Sequence, residues 1–146
     1  MIAMATLYLR IPGPTGYYHL GDGLIYAAAI LLGPGVAAAA AAVGSALADV
    51  MGGYAVWALP TFIIKGLTAL AIGTLAYRAR AHSRVIAAMA VGALITIVGY
   101  SLVSYFVFGM AFALTELYGN LGQTASGMVI GWILVTVFRR LAPFSD

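Results

Sequence analysis

Lys65 has the most unusual setting of any residue here that could take part in chemistry, because it lies inside the apolar run TFIIKGLTALAIG. If that run is a membrane helix, a lysine costs about 2.5–3.5 kcal/mol on insertion scales and needs an anionic partner or a function. The structural interpretation is an ion pair with Asp49 or Asp22, and the pair of Asp49 with Lys65 is the one we predict. The functional interpretation is a polar contact with a bound ligand. The two are compatible, because an ion pair that lines a cavity can also orient a ligand.

Aromatic and polar side chains gather in three other segments, where they could form the mouth of a binding site. They are Tyr17, Tyr18, His19 and Asp22, then Asp49, Tyr54 and Trp57, then Glu116, Tyr118, Asn120 and Gln123. The alternative is an interfacial belt, in which tyrosine and tryptophan lie at headgroup depth without binding anything. A belt should mark both membrane faces, whereas the remaining loops contain little beyond Tyr77. Further polar points in a later apolar run are Tyr100, Ser101, Ser104 and Tyr105.

The residue types that most catalytic sites need are missing or scattered. The chain has no cysteine, which excludes thiolate nucleophiles, thiolate metal sites and disulfides. It has no glycine-rich loop ending in Gly-Lys-Ser or Gly-Lys-Thr, so any ATP hydrolysis must come from other subunits. His19 and His82 fall on opposite predicted membrane faces, and Ser83 beside His82 has no acid to complete a triad. We therefore predict no enzymatic activity, no metal site and no cofactor.

The composition indicates a lipid environment for the whole chain. The 146 residues are 64% hydrophobic and 8% charged, whereas a soluble domain has about a quarter charged residues. So few charged groups cannot cover a water-exposed surface. The formal charge of +3 does not indicate nucleic-acid binding, because the few basic residues stand at the ends of apolar runs. The sequence therefore predicts an all-α integral membrane protein.

The apolar runs and the turn residues between them predict a six-helix bundle in one membrane domain over residues 1–146. The predicted helices cover roughly residues 1–11, 22–32, 35–51, 56–77, 84–112 and 120–140. A full span needs about 20 apolar residues, and only MIAMATLYL precedes Arg10. The first helix is therefore predicted to be shortened.

Residues 22–51 allow three interpretations: one kinked span, a re-entrant pair, or two short tilted spans. One continuous helix of that length would reach about 45 Å, which exceeds a hydrocarbon core of about 30 Å. The proline between two glycines in Gly33-Pro34-Gly35 is also a strong interruption. We predict two segments.

The charged residues predict an orientation, because cytoplasmic loops are enriched in lysine and arginine. The arginines of residues 78–84 share one loop, and Arg139 and Arg140 follow the last helix, two crossings later and on the same face. The acidic residues Asp22, Asp49 and Glu116 then fall on the opposite face. The sequence predicts cytoplasmic termini and outward loops around residues 12–22, 49–57 and 113–120.

Small residues recur at four-residue spacing, which lets helix backbones approach closely in lipid. The pairs are Ala42/Ala46, Ala69/Gly73, Ala88/Gly92 and Gly127/Gly131. We interpret them as packing contacts within the bundle, with a partner interface as the alternative for any single pair.

The stretch HLGDGLIYAAAILLGPGVAAAAAAVGSALADVMGGYAVWALPTFIIKG resembles the substrate-binding S components of energy-coupling factor (ECF) vitamin transporters, in the riboflavin-type group. The elements GD, LLGP, GSALAD and FIIKG carry the resemblance, which is strongest over residues 17–73. It implies a six-helix, multi-pass subunit in the cell membrane of a prokaryote, which captures a vitamin or vitamin precursor from outside. It also implies docking onto a transmembrane coupling subunit served by two ATPases. The implied ligand is riboflavin or a thiamine-related heterocycle.

In this family the ligand pocket opens outward and is lined by the first loop and by parts of the last three helices. Carried over to this sequence, the resemblance implies a substrate site made by Tyr17, His19, Asp22, Trp57, Lys65, Tyr100, Tyr105 and Asn120. The first helix of the family is a full span with a small-residue face for the coupling subunit, so we expect the full-length chain to begin upstream of Met1. The alternative function is a structural membrane protein in which Lys65 is only ion-paired.

Overall fold

The structure, a computed structural model, describes residues 2, 8, 10–13, 16–19 and 21–141. For the two strands, at residues 10–13 and 16–19, it describes the backbone only. The strands are β1 (Arg10–Gly13) and β2 (Gly16–His19), which pair antiparallel as a hairpin ahead of the helices. The five helices are α1 (Asp22–Leu32), α2 (Pro34–Met51), α3 (Ala55–Ala76), α4 (His82–Phe108) and α5 (Met110–Leu141).

The helices confirm the class of multi-pass α-helical membrane protein. Helices α2, α3, α4 and α5 are long and apolar enough to cross a membrane, and α1 is a shorter apolar helix of 11 residues. The predicted helix over residues 1–11 lies mostly outside the described residues, as does the expected upstream start. Its last two residues, Arg10 and Ile11, belong to β1, so the prediction is wrong there. The residue before a proline is disfavoured in the α conformation, and Pro12 follows Ile11 directly.

The chain reverses at Gly33, which confirms two segments within residues 22–51. Helix α1 ends at Leu32 and α2 begins at Pro34, which occupies the first turn of the new helix. Gly33 has a φ of 97°, a conformation that side-chain-bearing residues rarely adopt. Proline is compatible with a first turn because the N–H that it lacks has no helical acceptor there.

The predicted turn at residues 113–119 is wrong, because the break between the last two helices comes earlier. Helix α4 ends at Phe108, Gly109 has a φ of 91°, and α5 continues from Met110 without interruption to Leu141. Gly119 and Asn120 are therefore helical. Polar and glycine residues mark turns where water is the solvent, but Glu116 and Asn120 are buried and hydrogen-bonded to each other within α5.

Close backbone approach holds the helices together. Helix α2 runs antiparallel to α3, since an added Cβ on Gly73 would lie 2.5 Å from Pro34 Cα and one on Gly66 would lie 3.3 Å from Ala42 Cβ. Helix α1 approaches α5 as closely and runs parallel to it, with Gly127 beside Asp22 and Gly131 beside Tyr26. Of the small residues at four-residue spacing, those at close helix contacts or in the core are Ala42, Ala69, Gly73, Ala88, Gly92, Gly127 and Gly131, while Ala46 is half-buried.

The arginines that the charge pattern places on one face do lie at one end of the bundle. The guanidinium of Arg139, near the end of α5, donates to the carbonyl oxygen of Ala79 in the turn between α3 and α4. The backbone N–H of Arg78 in that turn donates to the carbonyl oxygen of Ile30 near the end of α1. We call this end, where α1, α3 and α5 finish, the arginine end.

Candidate functional site

A buried salt bridge joins α1 to α3 near the middle of the bundle. Nζ of Lys65 lies 2.7 Å from Oδ1 of Asp22, and both residues are 0% exposed. Lys65 stands ten residues after the start of α3 and eleven before its end, so it lies about 15 Å from one end of the helix and about 17 Å from the other. Asp22 is the first residue of α1. The short helix therefore starts at mid-depth, and Asp22 is not in an outward loop.

Helix α5 completes the surroundings of the carboxylate. Nε2 of Gln123 donates to Oδ2 of Asp22 over 3.0 Å, so each carboxylate oxygen has a partner. A buried charge is tolerated when it is paired and its remaining acceptors are hydrogen-bonded. The predicted pair of Asp49 with Lys65 is corrected, because the salt bridge of Lys65 is with Asp22. Asp49 is buried near the far end of α2, where Gly52 and Gly53 turn the chain into α3.

Hydroxyl pairs lie on either side of the salt bridge along α3. Toward the start of the helix, the hydroxyl of Tyr100 donates to Oγ1 of Thr61 over 3.0 Å. Toward its end, the hydroxyls of Thr68 and Thr96 lie 3.1 Å apart. The Tyr100 ring also faces the ammonium of Lys65, with 5.3 Å between Nζ and the ring centroid. Such a cation–π contact further stabilises a desolvated lysine.

We call these buried side chains the polar column. Its members are Thr61, Lys65 and Thr68 of α3, Thr96 and Tyr100 of α4, Gln123 of α5, and Asp22 of α1. Ser104 follows Tyr100 by one helical turn, and its buried hydroxyl has no hydrogen-bond partner in the part of the chain that the structure describes.

An aromatic cluster lies beyond Tyr100, at the end of the bundle opposite the arginine end. The Trp57 ring lies 5.9 Å from Tyr100, 5.6 Å from Phe108 and 6.4 Å from Phe112, centroid to centroid. The last of these pairs is stacked, with 19° between the ring planes. Phe108 and Phe112 stand on either side of the break at Gly109, which brings the end of α4 and the start of α5 onto Trp57.

Helix α5 carries its own row of buried polar side chains between the aromatic cluster and Gln123. Nδ2 of Asn120 donates to Oε2 of Glu116 over 3.3 Å, and the Thr124 hydroxyl donates to the carbonyl oxygen of Asn120. Residues three and four apart lie on one face of a helix, so Glu116, Asn120 and Gln123 face the interior together.

The structure brings together four of the eight residues of the predicted substrate site, which are Asp22, Trp57, Lys65 and Tyr100. Asn120 is buried in the α5 row. Tyr105 is 46% exposed and contacts Phe106, so it lies away from the column. Tyr17 and His19 belong to β2, where their backbones pair with Pro12 and Arg10, and their side chains lie outside the described part of the chain.

Sequence reasoning missed Thr61, Thr68 and Thr96, and grouped Gln123 with the outer mouth, not with the partners of Lys65 and Asp22. A signal was present, because Trp57, Thr61, Lys65 and Thr68 recur at helical spacing and so share one face of α3. The corresponding row in α5 could not be recognised once a turn was placed at Gly119 and Asn120. Threonine in a membrane helix also bonds its own backbone in many cases, which hides a contact between helices.

The arrangement suits the binding of a flat, polar molecule better than bond-breaking chemistry. Stacked rings offer a surface to a planar ring system, and the hydroxyl and amide groups offer hydrogen bonds at fixed positions. The acid and the amine of the column form a salt bridge with each other. No group of three or more histidine, cysteine or acidic side chains that could hold a metal occurs among the described residues.

Comparison with known proteins gives the family. A protein of Pyrococcus woesei named "Uncharacterized protein in gap 3'region" is 37% identical over 148 residues, covering 99% of this chain and 99% of that protein. The family model described as ECF-type riboflavin transporter, S component, matches residues 1–140. The chain therefore belongs to the family of ECF-type riboflavin transporter S components, which are vitamin-binding transporter subunits and not enzymes.

Proposed function

We propose that this chain captures riboflavin, or a heterocycle related to thiamine, from outside the cell and passes it to an ATPase-driven coupling module. The observation that carries this proposal is the aromatic cluster, which meets the polar column at the end of the bundle opposite the arginines. A flat ring could stack beside Trp57 while its polar edge meets the hydroxyls near Tyr100. The family supports the vitamin class and the presence of other subunits in the assembly.

The arginine end supports a proposed orientation. Cytoplasmic ends of membrane helices are enriched in arginine, so we place this end in the cytoplasm of a prokaryotic cell and the aromatic cluster on the outer side. The carboxyl end of α5 is then cytoplasmic, and we propose the same side for the amino terminus. A transmembrane coupling subunit and two ATPase subunits complete the proposed importer.

Within this proposal the site residues divide by depth. Trp57 and Tyr100 contact the ligand directly, and Asn120 presents an amide from α5. Lys65 and Asp22 act from below by fixing the Tyr100 ring and the start of α1. Tyr17, His19 and Tyr105 remain proposed contacts of the outer mouth.

Riboflavin fluorescence tests the proposal. Flavin emission should be quenched when riboflavin is added to the purified protein, and mass spectrometry of the purified protein should identify carried-over vitamin. Trp57→Leu should weaken binding at least tenfold. Trp132→Leu is the matched control, because Trp132 contacts His82 at the opposite end. If no vitamin raises the melting temperature, or if both tryptophan variants weaken binding equally, the proposal is wrong.

The alternative is a structural role in which the salt bridge only fixes helix packing. The two contacts of Asp22, with Lys65 and with Gln123, favour this structural role. The positive and negative charges of the polar column are already paired with each other. The exchange Lys65→Asp with Asp22→Lys separates the two. Recovery of both folding and riboflavin binding makes the pair structural, whereas folding without binding shows that Lys65 contributes to binding, directly or through the Tyr100 ring.

A further inference from the structure

The turn between α3 and α4 gathers guanidinium groups from two separate helices. Nε of Arg84, in the first turn of α4, donates to the carbonyl oxygen of Leu75, in the last turn of α3. Nη2 of Arg139 reaches across from α5 to the carbonyl oxygen of Ala79. The rule that arginines favour the cytoplasmic side explains which face they take, but does not explain why one is fixed to the end of α3 and another to the turn that follows it.

These contacts preorganise the two arginines for an anion. A guanidinium carries five N–H donors, and the contact to a carbonyl oxygen uses only part of this set. The exposed Arg84 and half-buried Arg139 therefore hold donors at fixed positions without further loss of side-chain freedom. The acidic residues that the structure describes, Asp22, Asp49 and Glu116, lie at mid-depth or toward the opposite end.

Apolar side chains are exposed at the same end of the bundle. Phe138 is 52% exposed and Leu141 is 76% exposed, immediately before and after the Arg139–Arg140 pair. Tyr77 is exposed at the start of the turn, where its ring contacts the Arg78 guanidinium. A ligand with a phosphate next to hydrocarbon chains matches this combination of arginines and apolar side chains. A free anion would contact only the arginines.

We propose that Arg84 and Arg139 form a binding site for the phosphate headgroup of an anionic phospholipid, with its acyl chains along the end of α5. The guanidinium fork binds phosphate oxygens in a bidentate manner. The site is separate from the polar column and does not depend on the transport function.

The test compares lipids and single-charge variants. Dissociation constants are measured by native mass spectrometry of the detergent-purified full chain, with phosphatidylglycerol, phosphatidylcholine or inorganic phosphate added. Arg84→Gln and Arg139→Gln should each weaken phosphatidylglycerol binding about tenfold, because each removes charge-assisted hydrogen bonds to the phosphate. They should weaken phosphatidylcholine binding less, because the choline of that lipid offsets the charge of its phosphate. Arg140→Gln is the matched control, since it removes the same charge one residue away, and should change the affinity less than twofold.

Each other outcome overturns the proposal in a distinct way. An equal loss in Arg140→Gln shows attraction by diffuse charge and not a site. Competition by inorganic phosphate at matched concentration shows a free-anion site. Unchanged lipid binding, with lost assembly onto a coupling subunit, shows that the arginines dock a protein. Should Arg139→Gln fail to fold, Arg84→Gln decides, because the Arg84 side chain is exposed.

Discussion

Lys65 and Asp22 form a salt bridge across two helices at a depth where neither side chain contacts solvent. Removing one member leaves the other charge buried without its partner, which costs about 3–5 kcal/mol. We expect Lys65→Met to lower the free energy of unfolding by this amount, measured by denaturant titration in detergent micelles. Lys65→Met combined with Asp22→Asn should recover most of the loss, since Gln123 can still bond the new amide. A double variant no more stable than the single one would contradict the pairing.

Tyr100 should contribute through its hydroxyl as well as its ring. Tyr100→Phe removes the donor to Thr61 and keeps the ring beside Lys65, so we expect a loss of about 1 kcal/mol in unfolding free energy. Tyr105→Phe removes the same group from a side chain that is 46% exposed, and should change stability by less than about 0.5 kcal/mol. Equal effects of the two substitutions in the same denaturant titration would show that the buried hydroxyl contributes no more to the free energy of unfolding than the exposed one.

Gly127 should tolerate no side chain. A Cβ there would lie 2.8 Å from Cβ of Asp22, so Gly127→Ala must push α1 away from α5 and should cost about 1–3 kcal/mol. Gly122 lies on the same helix with nothing within 4 Å of an added Cβ. Gly122→Ala should therefore leave stability unchanged or raise it by up to about 1 kcal/mol through helix propensity. Thermal unfolding of the two variants side by side gives the comparison, and a harmless Gly127→Ala would rule out the close contact.

Gly109 sets where α4 ends. Its φ of 91° and ψ of 176° belong to a region that glycine alone adopts readily, so Gly109→Ala should cost about 1–3 kcal/mol although nothing lies within 4 Å of the added Cβ. Because the break brings Phe108 and Phe112 onto Trp57, the same substitution should also change tryptophan fluorescence. A variant with wild-type stability and emission would mean that the helix break lies elsewhere.

The sequence predicts the long spans well because hydropathy and the backbone breaker Gly33-Pro34 act locally. It also predicts that the arginines share one end of the bundle. The number of membrane crossings between two arginine-containing segments can be counted without knowing how the helices pack. The partner of Lys65 depends instead on where α1 begins. The sequence predicts a helix that begins at residue 22, as the structure has it, but puts that start at the outer face, whereas Asp22 lies at mid-depth beside Gln123, which is 101 residues away.

Packing inside the bundle also explains why the last turn is predicted in the wrong place. Glu116 and Asn120 look like loop residues when only their neighbours are considered. They are compatible with a helix because their side chains bond each other and lie inside the bundle, a condition that tertiary packing alone supplies.

The short α1 also has a consequence for the order in which the protein is made. At 11 residues it is about half the length of an independent membrane span, and its first residue is a carboxylate that needs a partner from α3 and another from α5. The contact with Lys65 needs only α3, but the contact with Gln123 cannot form until residue 123 has left the ribosome. The surroundings of the Asp22 carboxylate are therefore complete only when α5, the last helix of the bundle, has been made.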